Sequence, residues 1–324
     1  MFSGGLDSTI AVHLLKNQGI DVLGLHFVLP FYSGLGADHR TIRERAGMLG
    51  ISLRIEEEGE EFLAMFKDPR FGYGKNINPC LDCRIHRLTK AALIMRQEGA
   101  AFIATGEVVG QRPMSQRRDC LDIIEKRTGL RGLLLRPLSA GLLRPTIPEN
   151  EGWVDRTRLL SIGGRGRKDQ IAYAAAHQLT YPSPGGGCIL THEQTAQRFD
   201  DLMRSSRDFS LLDFKLLAYG RHFRISPAVR LIIARDDTEN AVLEKFLCPD
   251  DYCLTMADVL GPLGILRSTE PVPQKDLEKA CGLLARYSKA RSQEEARVSL
   301  CRNNSASVIS IRPAREEECD AIRL

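Results

Sequence analysis

No apolar run in these 324 residues approaches the length needed to cross a bilayer, and no charged segment followed by an apolar core leads the chain. A membrane protein or an exported one is therefore not expected, and the chain reads as cytoplasmic. Nine cysteines is an odd number. Without an export signal a disulfide framework is not expected, and thiol or metal chemistry becomes the better use for some of them. Internal repeats and long low-complexity segments are missing as well. So is a strand: only Met1 and Phe2 stand ahead of the glycine-rich string Ser3-Gly4-Gly5-Leu6-Asp7-Ser8. A phosphate loop in a doubly wound fold follows an apolar strand that lies mid-sheet, so the expectation is a natural chain that starts upstream of Met1.

What is present suits a globular protein of two domains, with 43% hydrophobic content and a net charge of +4 that permits nucleic-acid binding without requiring it. Arg112, Arg117, Arg118, Arg165, Arg167, Arg221 and Arg224 fall near motifs rather than evenly. An amphipathic helix is expected over 9–16, a strand over 20–27, a helix over 37–49, a strand over 52–56, a helix over 85–97 and a strand over 102–105. That alternation predicts an α/β domain with a parallel sheet. The boundary is placed at 204/205. Beyond it, a smaller α+β domain is expected, with helix-like segments at 240–246 and 274–290 and a strand at 307–311.

Three blocks carry chemistry. In Ser3 to Ser8 two glycines let the backbone aim several N–H groups at one anion, and the helix after the loop adds its positive end. A Walker loop would need a lysine in a longer glycine frame, which the chain does not contain. His26 and Phe27 end the strand over 20–27, where open α/β sheets bind ligands. The second block is Asn78-Pro79-Cys80-Leu81-Asp82-Cys83, joined by Cys188 in Pro184-Gly185-Gly186-Gly187-Cys188. Three thiolates fit a four-iron cluster with one open iron, or a persulfide carrier with resolving thiols. Zinc is a third reading, with His86 or His192 as fourth ligand. The third block, Thr105-Gly106-Glu107-Val108-Val109-Gly110-Gln111 through Ser115-Gln116, ends a strand; its glycines open the backbone beside a ligand, and Glu107, Gln111, Ser115 and Gln116 offer polar contacts to adenosine, metal or the acceptor.

In this order SGGLDS, GYGKNINPCLDC, TGEVVGQRPMSQ and PSPGGGCIL resemble the tRNA thiouridylase branch of the PP-loop ATP pyrophosphatases, over roughly 2–204. TGEVVGQ is especially similar to tRNA 4-thiouridine synthases and NPCLDC to tRNA 2-thiouridylases. The second half, with Tyr219 to Ile225 and Ala234 to Asn240, is similar to the RNA-binding domain of the NFACT family. The resemblance implies a doubly wound sheet of the adenine nucleotide alpha hydrolase type and an ATP-dependent tRNA sulfurtransferase. Its loop, Ser3, Gly4, Gly5, Leu6, Asp7 and Ser8, would hold pyrophosphate with Mg²⁺, while His26, Phe27, Thr105, Gly106 and Gln111 would face the nucleotide. Cys80, Cys83 and Cys188 would carry sulfur on a [4Fe-4S] cluster or as a persulfide. The donor would be sulfide or a cysteine desulfurase. Arg165, Arg167, Lys168, Arg221 and Arg224 would contact tRNA phosphates, with Tyr219 and Phe223 available for base stacking, and a homodimer is an open expectation. The rival readings are a PP-loop pyrophosphatase acting on a small molecule and a non-catalytic RNA-binding protein.

Overall fold

A computed structural model describes residues 1–32, 39–183, 187–206, 208–303 and 305–324. The described residues within Met1–Leu29 and Gly36–Cys188 make one compact unit, and those within Pro30–Leu35 and Ile189–Leu324 the other.

In the first unit α1 (Leu6–Lys16) is buried nearly all round rather than amphipathic. Leu6, Ile10 and Leu14 pack with Val108, Leu138 and Ile162, while Val12 faces Phe2, Ile42 and Ile51. A helix clothed on both sides tolerates no polar stripe. β1 (Leu23–Val28) pairs in parallel with β2 (Ser52–Glu57) across α2 (Arg40–Met48), in register Leu23 with Ser52. Next along the chain come α3 (Glu60–Lys67) and α4 (Cys80–Gln97). β3 (Ile103–Ala104) pairs in parallel with β4 (Leu134–Leu135) across α5 (Arg118–Thr128). Between the two pairs run Met1 and Phe2: the Phe2 N–H donates to Leu25 O at 2.7 Å and the Met1 amino group to Ala104 O at 2.6 Å. Among the described residues, the expected doubly wound sheet is present as these two parallel pairs, bridged by two residues. α6 (Ile147–Asn150) and α7 (Lys168–Ala176) complete the unit. Ala37 and Asp38 of the expected second helix lie outside the described residues.

In the second unit α8 (Glu193–Ser205) and α9 (Leu211–Leu216) precede a six-stranded antiparallel sheet ordered β10-β9-β7-β8-β6-β5. Its strands are β5 (Arg221–Ser226), β6 (Val229–Ile233), β7 (Tyr252–Met256), β8 (Gly264–Ser268), β9 (Ala296–Arg302) and β10 (Ser305–Ile311), interleaved with α10 (Asp237–Lys245) and α11 (Gln274–Arg286). α11 covers one face through Ala280, Leu283 and Leu284, and α9 and α10 cover part of the other with Leu216, Val242 and Leu243 against Ile232 and Ile265. The division between units falls after Cys188, ahead of the expected 204/205. The cause is α8, whose buried Arg198 donates to Leu217 O at 2.9 Å and Gly220 O at 3.1 Å, tying the helix to the turn between α9 and β5.

Candidate nucleotide and thiol site

Gly5 is the N-cap of α1 and supplies no side-chain cap, so the first-turn N–H groups point outward without a protein acceptor at the cap. Gly4 has φ +69°, and a Cβ there would lie 2.8 Å from Ile42 Cδ1 and 3.0 Å from Arg45 Cδ. Both facts require glycine at that position. The loop is cinched by its serines: Ser3 N–H donates to Ser8 Oγ at 3.3 Å, the two hydroxyls lie 3.1 Å apart, and Ser8 Oγ donates to Gly5 O at 3.0 Å. Arg45 of α2 passes beside Gly4 and makes no side-chain hydrogen bond or ion pair among the described residues.

Asp7 is aimed by a relay. Gln111 Nε2 donates to Asp7 Oδ2 at 3.0 Å, and Gln170 Nε2, on the first turn of α7, donates to Gln111 Oε1 at 3.2 Å. The other oxygen, Oδ1, is buried without a partner. An orphaned carboxylate oxygen beside an uncapped helix start is the donor a phosphate-bound Mg²⁺ would use, so the residues fit that ion. Gly106 presses against the same turn, since a Cβ on it would lie 2.6 Å from Asp7 C and from Ser8 N. Leu6 contributes backbone only, its side chain being core.

Thr105 and Glu107 depart from the expected ligand role. Glu107 is buried and already engaged, with Arg84 Nε at 3.0 Å, Arg136 Nε donating at 3.1 Å and Thr105 Oγ1 donating at 3.2 Å. Burial alone would raise its pKa, yet the two guanidiniums outweigh burial and hold it below the usual carboxylate range. Arg84 stands on α4, one residue after Cys83. The Arg84–Glu107 pair therefore ties the thiol helix to the loop that closes on Asp7.

Cys80 and Cys83 occupy the first turn of α4 rather than the approach to it. Asp82 anchors that turn by accepting from the N–H groups of Arg70 and Phe71 at 3.1 and 3.0 Å. Asn78 Nδ2 donates to Cys80 Sγ at 3.2 Å, and Arg87 Nη2 donates to Cys83 Sγ at 2.8 Å. Burial opposes the Arg87 charge, but Cys83, Glu58 and Cys188 together keep its pKa above the ordinary value. One buried guanidinium thus answers to two of the three cysteines. Glu58, on its far side, accepts from His86 at 2.9 Å and Lys90 at 3.1 Å. Among the described residues no group of three His, Cys, Asp or Glu side chains is placed to hold a metal ion. His86, a candidate fourth ligand, is taken by Glu58. His192 caps α8 in the other unit. Pro184, Gly185 and Gly186 of the glycine run before Cys188 lie outside the described residues.

His26 Nδ1 lies 2.9 Å from Phe2 O, and burial, followed by His39 and Arg87, pushes its pKa down despite that hydrogen bond. Phe27 is not an exposed platform: its ring belongs to the core with Leu81, Leu88 and Ile124. The basic loop comes close to the nucleotide side, because Val109 bridges to Gly163 and Gly164 N–H donates to Val109 O at 2.7 Å. Arg165 and Lys168 are exposed and Arg167 half-buried. Arg221 and Arg224 are spent within the second unit. Arg221 Nη1 donates to Ala234 O at 3.0 Å and stacks on Tyr287, while Arg224 pairs with Asp201. Tyr219 and Phe223 are 5% and 0% exposed, so neither can stack on a base.

Sequence reasoning missed Arg45, Arg84, Arg87, Glu58, Arg136 and Gln170. For Arg87 a signal existed, since it lies four residues after Cys83 on the same helix face. Nothing local marks Arg45 or Gln170, whose roles come from packing across the fold.

The NFACT protein RNA binding domain family matches residues 220–322, which spans all six strands of the antiparallel sheet. A tRNA-specific 2-thiouridylase MnmA of Thiobacillus denitrificans is 38% identical over 122 residues, 34% of this chain and 33% of that protein. The MnmA of Trichlorobacter lovleyi is 34% identical over 115 residues, 33% of this chain and 32% of its own. The chain thus matches about a third of the length of these curated relatives. The solved C-terminal part of the fibronectin/fibrinogen-binding protein from Streptococcus suis aligns with 75% of this chain and 94% of its own, at 11% identity. Its TM-score of 0.29 says nothing about the fold.

Proposed function

We propose that this chain is an ATP-dependent tRNA sulfurtransferase, which adenylates a uridine carbonyl and replaces its oxygen with sulfur. The observation that carries this reading is the joining of two sites in one unit. An uncapped helix start with an orphaned Asp7 oxygen is connected, through Gly106, Glu107 and Arg84, to a helix that bears two cysteines. The similarity to tRNA-specific 2-thiouridylases supports the same reading.

A uracil carbonyl is a poor site for sulfur exchange, because its oxygen would have to leave as hydroxide. The first-turn N–H groups of α1 and the Arg45 guanidinium would gather the β and γ phosphates, leaving the α phosphorus open to the carbonyl oxygen and stabilising the departing pyrophosphate. Asp7, fixed by Gln111 and Gln170, would hold Mg²⁺, which screens phosphate charge when bound. The carbonyl oxygen then belongs to AMP, a far better leaving group.

Of the two sulfur routes the persulfide is the one proposed, because one guanidinium, Arg87, serves both Cys83 and Cys188. A terminal persulfide sulfur on one cysteine forms a bond to the activated carbon, and the carbon–oxygen bond breaks with its electron pair leaving on AMP. A second cysteine attacks the carrier sulfur, forming a disulfide and releasing the thiocarbonyl, and an external thiol reductant then restores both. Arg87, which donates to Cys83 Sγ and feels Cys188 as well, would hold the two thiols in one field. Arg165, Arg167 and Lys168, beside Val109, would take the RNA backbone.

Pyrophosphate release measured with and without tRNA tests the reading, with liquid chromatography of nucleosides as the second readout. Asp7→Ala should abolish pyrophosphate release, whereas Cys83→Ser should retain it and yield no thiolated nucleoside. Pyrophosphate release indifferent to tRNA would overturn the RNA substrate, and thiolation surviving Cys83→Ser would overturn the sulfur route.

A further inference from the structure

Cys253 and Cys301 face each other on neighbouring antiparallel strands of the second unit, in the register Cys253 with Cys301, Leu254 with Leu300, Thr255 with Ser299. The same register reaches Ala257 and Arg297, where the Ala257 N–H donates to Arg297 O at 2.9 Å. Hydrogen-bonded and non-hydrogen-bonded pairs alternate along an antiparallel ladder, so Thr255 with Ser299 and Cys253 with Cys301 are hydrogen-bonded pairs as well. That places their Cα atoms about 5.5 Å apart. A disulfide spans Cα separations of about 4.4–6.8 Å and Cβ separations of about 3.5–4.5 Å, and the Cβ atoms of a hydrogen-bonded pair stand about 5.5 Å apart, so the bridge is within reach in Cα and closes by drawing the two strands together by about 1 Å at this rung.

The surroundings leave the pair open on one side. α11 covers the face that carries Leu254 and Leu300, which is the opposite face. Next to Cys253 in β8 stands Ile265, under α10, and next to Cys301 in β10 stands Ala306, small and exposed. Cys301 is exposed and Cys253 half-buried, and both are free thiols. Burial first, then the neighbouring Cys301, pushes the Cys253 thiol up, which suits a second thiol that reacts after the first. Cys281 and Cys319, by contrast, are buried in the core beneath α11.

We propose that Cys253 and Cys301 form a reversible oxidation site that takes a hydroperoxide as its oxidant. The Cys301 sulfur attacks one peroxide oxygen, the O–O bond breaks, and a sulfenic acid forms as one water leaves. The Cys253 sulfur then attacks the Cys301 sulfur, the S–O bond breaks, and the hydroxyl departs as a second water with the Cys253 proton. Two thiols and one hydrogen peroxide become one disulfide and two waters, the sulfurs oxidised and the peroxide oxygens reduced. A dithiol reductant reverses the change. The pair belongs to a different unit from Cys80, Cys83 and Cys188, so it stands whether or not those residues transfer sulfur.

The test uses the full chain with Cys80, Cys83 and Cys188 replaced by Ser, so that only the remaining thiols report. After one equivalent of hydrogen peroxide and blocking with iodoacetamide, digestion and mass spectrometry should recover the Cys253 and Cys301 peptides joined. The link should vanish with dithiothreitol, with Cys253→Ser or with Cys301→Ser. Recovery of Cys301 as sulfinic or sulfonic acid beside an alkylated Cys253 would overturn the proposal. A second measurement needs no oxidant: dibromobimane should bridge the two thiols of the untreated protein into a fluorescent cross-link, and two singly labelled cysteines would overturn the pairing itself.

Discussion

Gly106 shows how much a single residue can decide. Its absent Cβ is what lets the third block lie on the backbone of Asp7 and Ser8, at a hypothetical 2.6 Å that no side chain could occupy. Gly106→Ala should therefore cost about 1–3 kcal/mol of stability, as over-packing does, and should remove pyrophosphate release by pushing the loop off Asp7. Gly166→Ala, with nothing within 4 Å of the added carbon and no positive φ, is the matching control and should be near neutral in urea unfolding. Arg45 makes a sharper case for the nucleotide. Its guanidinium stands beside Gly4 with no protein partner among the described residues, so Arg45→Ala should raise the KM for ATP by about tenfold or more while leaving the urea midpoint unchanged. An unaltered KM would remove Arg45 from the phosphate site. The glycines of the loop were readable from the sequence because chain direction alone fixes their use. Arg45 was not, because it reaches Gly4 only through the crossover of α2. Phe27 misled in the opposite way: position at a strand end says nothing about which face its ring takes, and the ring went to the core.

Among the elements, α4 was legible from 85 onward by its apolar spacing, but its first turn was not, since Asn78-Pro79 disguises a helix start that Pro79 in fact caps. β7 and β9 escaped for a related reason. In β9 Ala296, Val298 and Leu300 alternate with exposed residues, a two-residue period that is plain once the sheet is known and too short to separate from loop beforehand. Arg84 ties α4 into a buried charge network of the first unit, that of Glu107 and Arg136. Glu107→Gln leaves Arg84 and Arg136 facing a neutral amide, and Arg136, 2% exposed, keeps Glu125 as its carboxylate partner, so the expected loss is about 1.5–3 kcal/mol. The sign with pH comes from the lowered pKa. An unfolded Glu107 binds its proton near 4.5 and the folded one only below that, so the ion network stabilises the fold above about 4.5 and fails as pH falls through the folded value. His222 acts in the same direction in the second unit. Burial first, then Arg198 and Arg230, hold its pKa well below 6.5, while Nε2 lies 2.8 Å from Tyr219 O. The unfolded chain protonates this ring as pH drops below 6.5 and the folded one does not, so stability present above that value declines beneath it. Urea midpoints across the acid range should fall from about pH 6.5 downward, and His222→Gln should flatten that first decline while Glu107→Gln flattens the later one. A midpoint independent of pH down to the carboxylate range would contradict the buried state of His222.

For the whole molecule, the proposed function raises the question of which cations would meet RNA. Family similarity over 220–322 points to the second unit, yet the two arginines that its sequence offers, Arg221 and Arg224, are already consumed by Ala234 O, Tyr287 and Asp201. In the first unit Arg112, Arg118, Arg165 and Lys168 are exposed, and the bridge from Val109 to Gly163 sets their two loops side by side. Each phosphate contact that is lost removes roughly 0.7–0.9 from the slope of log affinity against log salt. Replacing Arg165, Arg167 and Lys168 together by Ala should therefore lower the slope for tRNA by about two to three, with little change in unfolding, since none of the three holds an internal partner in the described residues. Arg224→Ala should do the reverse, weakening the anchoring of α8 through Asp201 and Ser205 and so the stability of the second unit, with the slope unchanged. Filter binding at several salt concentrations, read beside urea unfolding of the same proteins, separates the two. If Arg224→Ala lowers the slope and the triple replacement leaves it intact, the RNA backbone runs over the second unit, and the basic loop at the nucleotide site has another use.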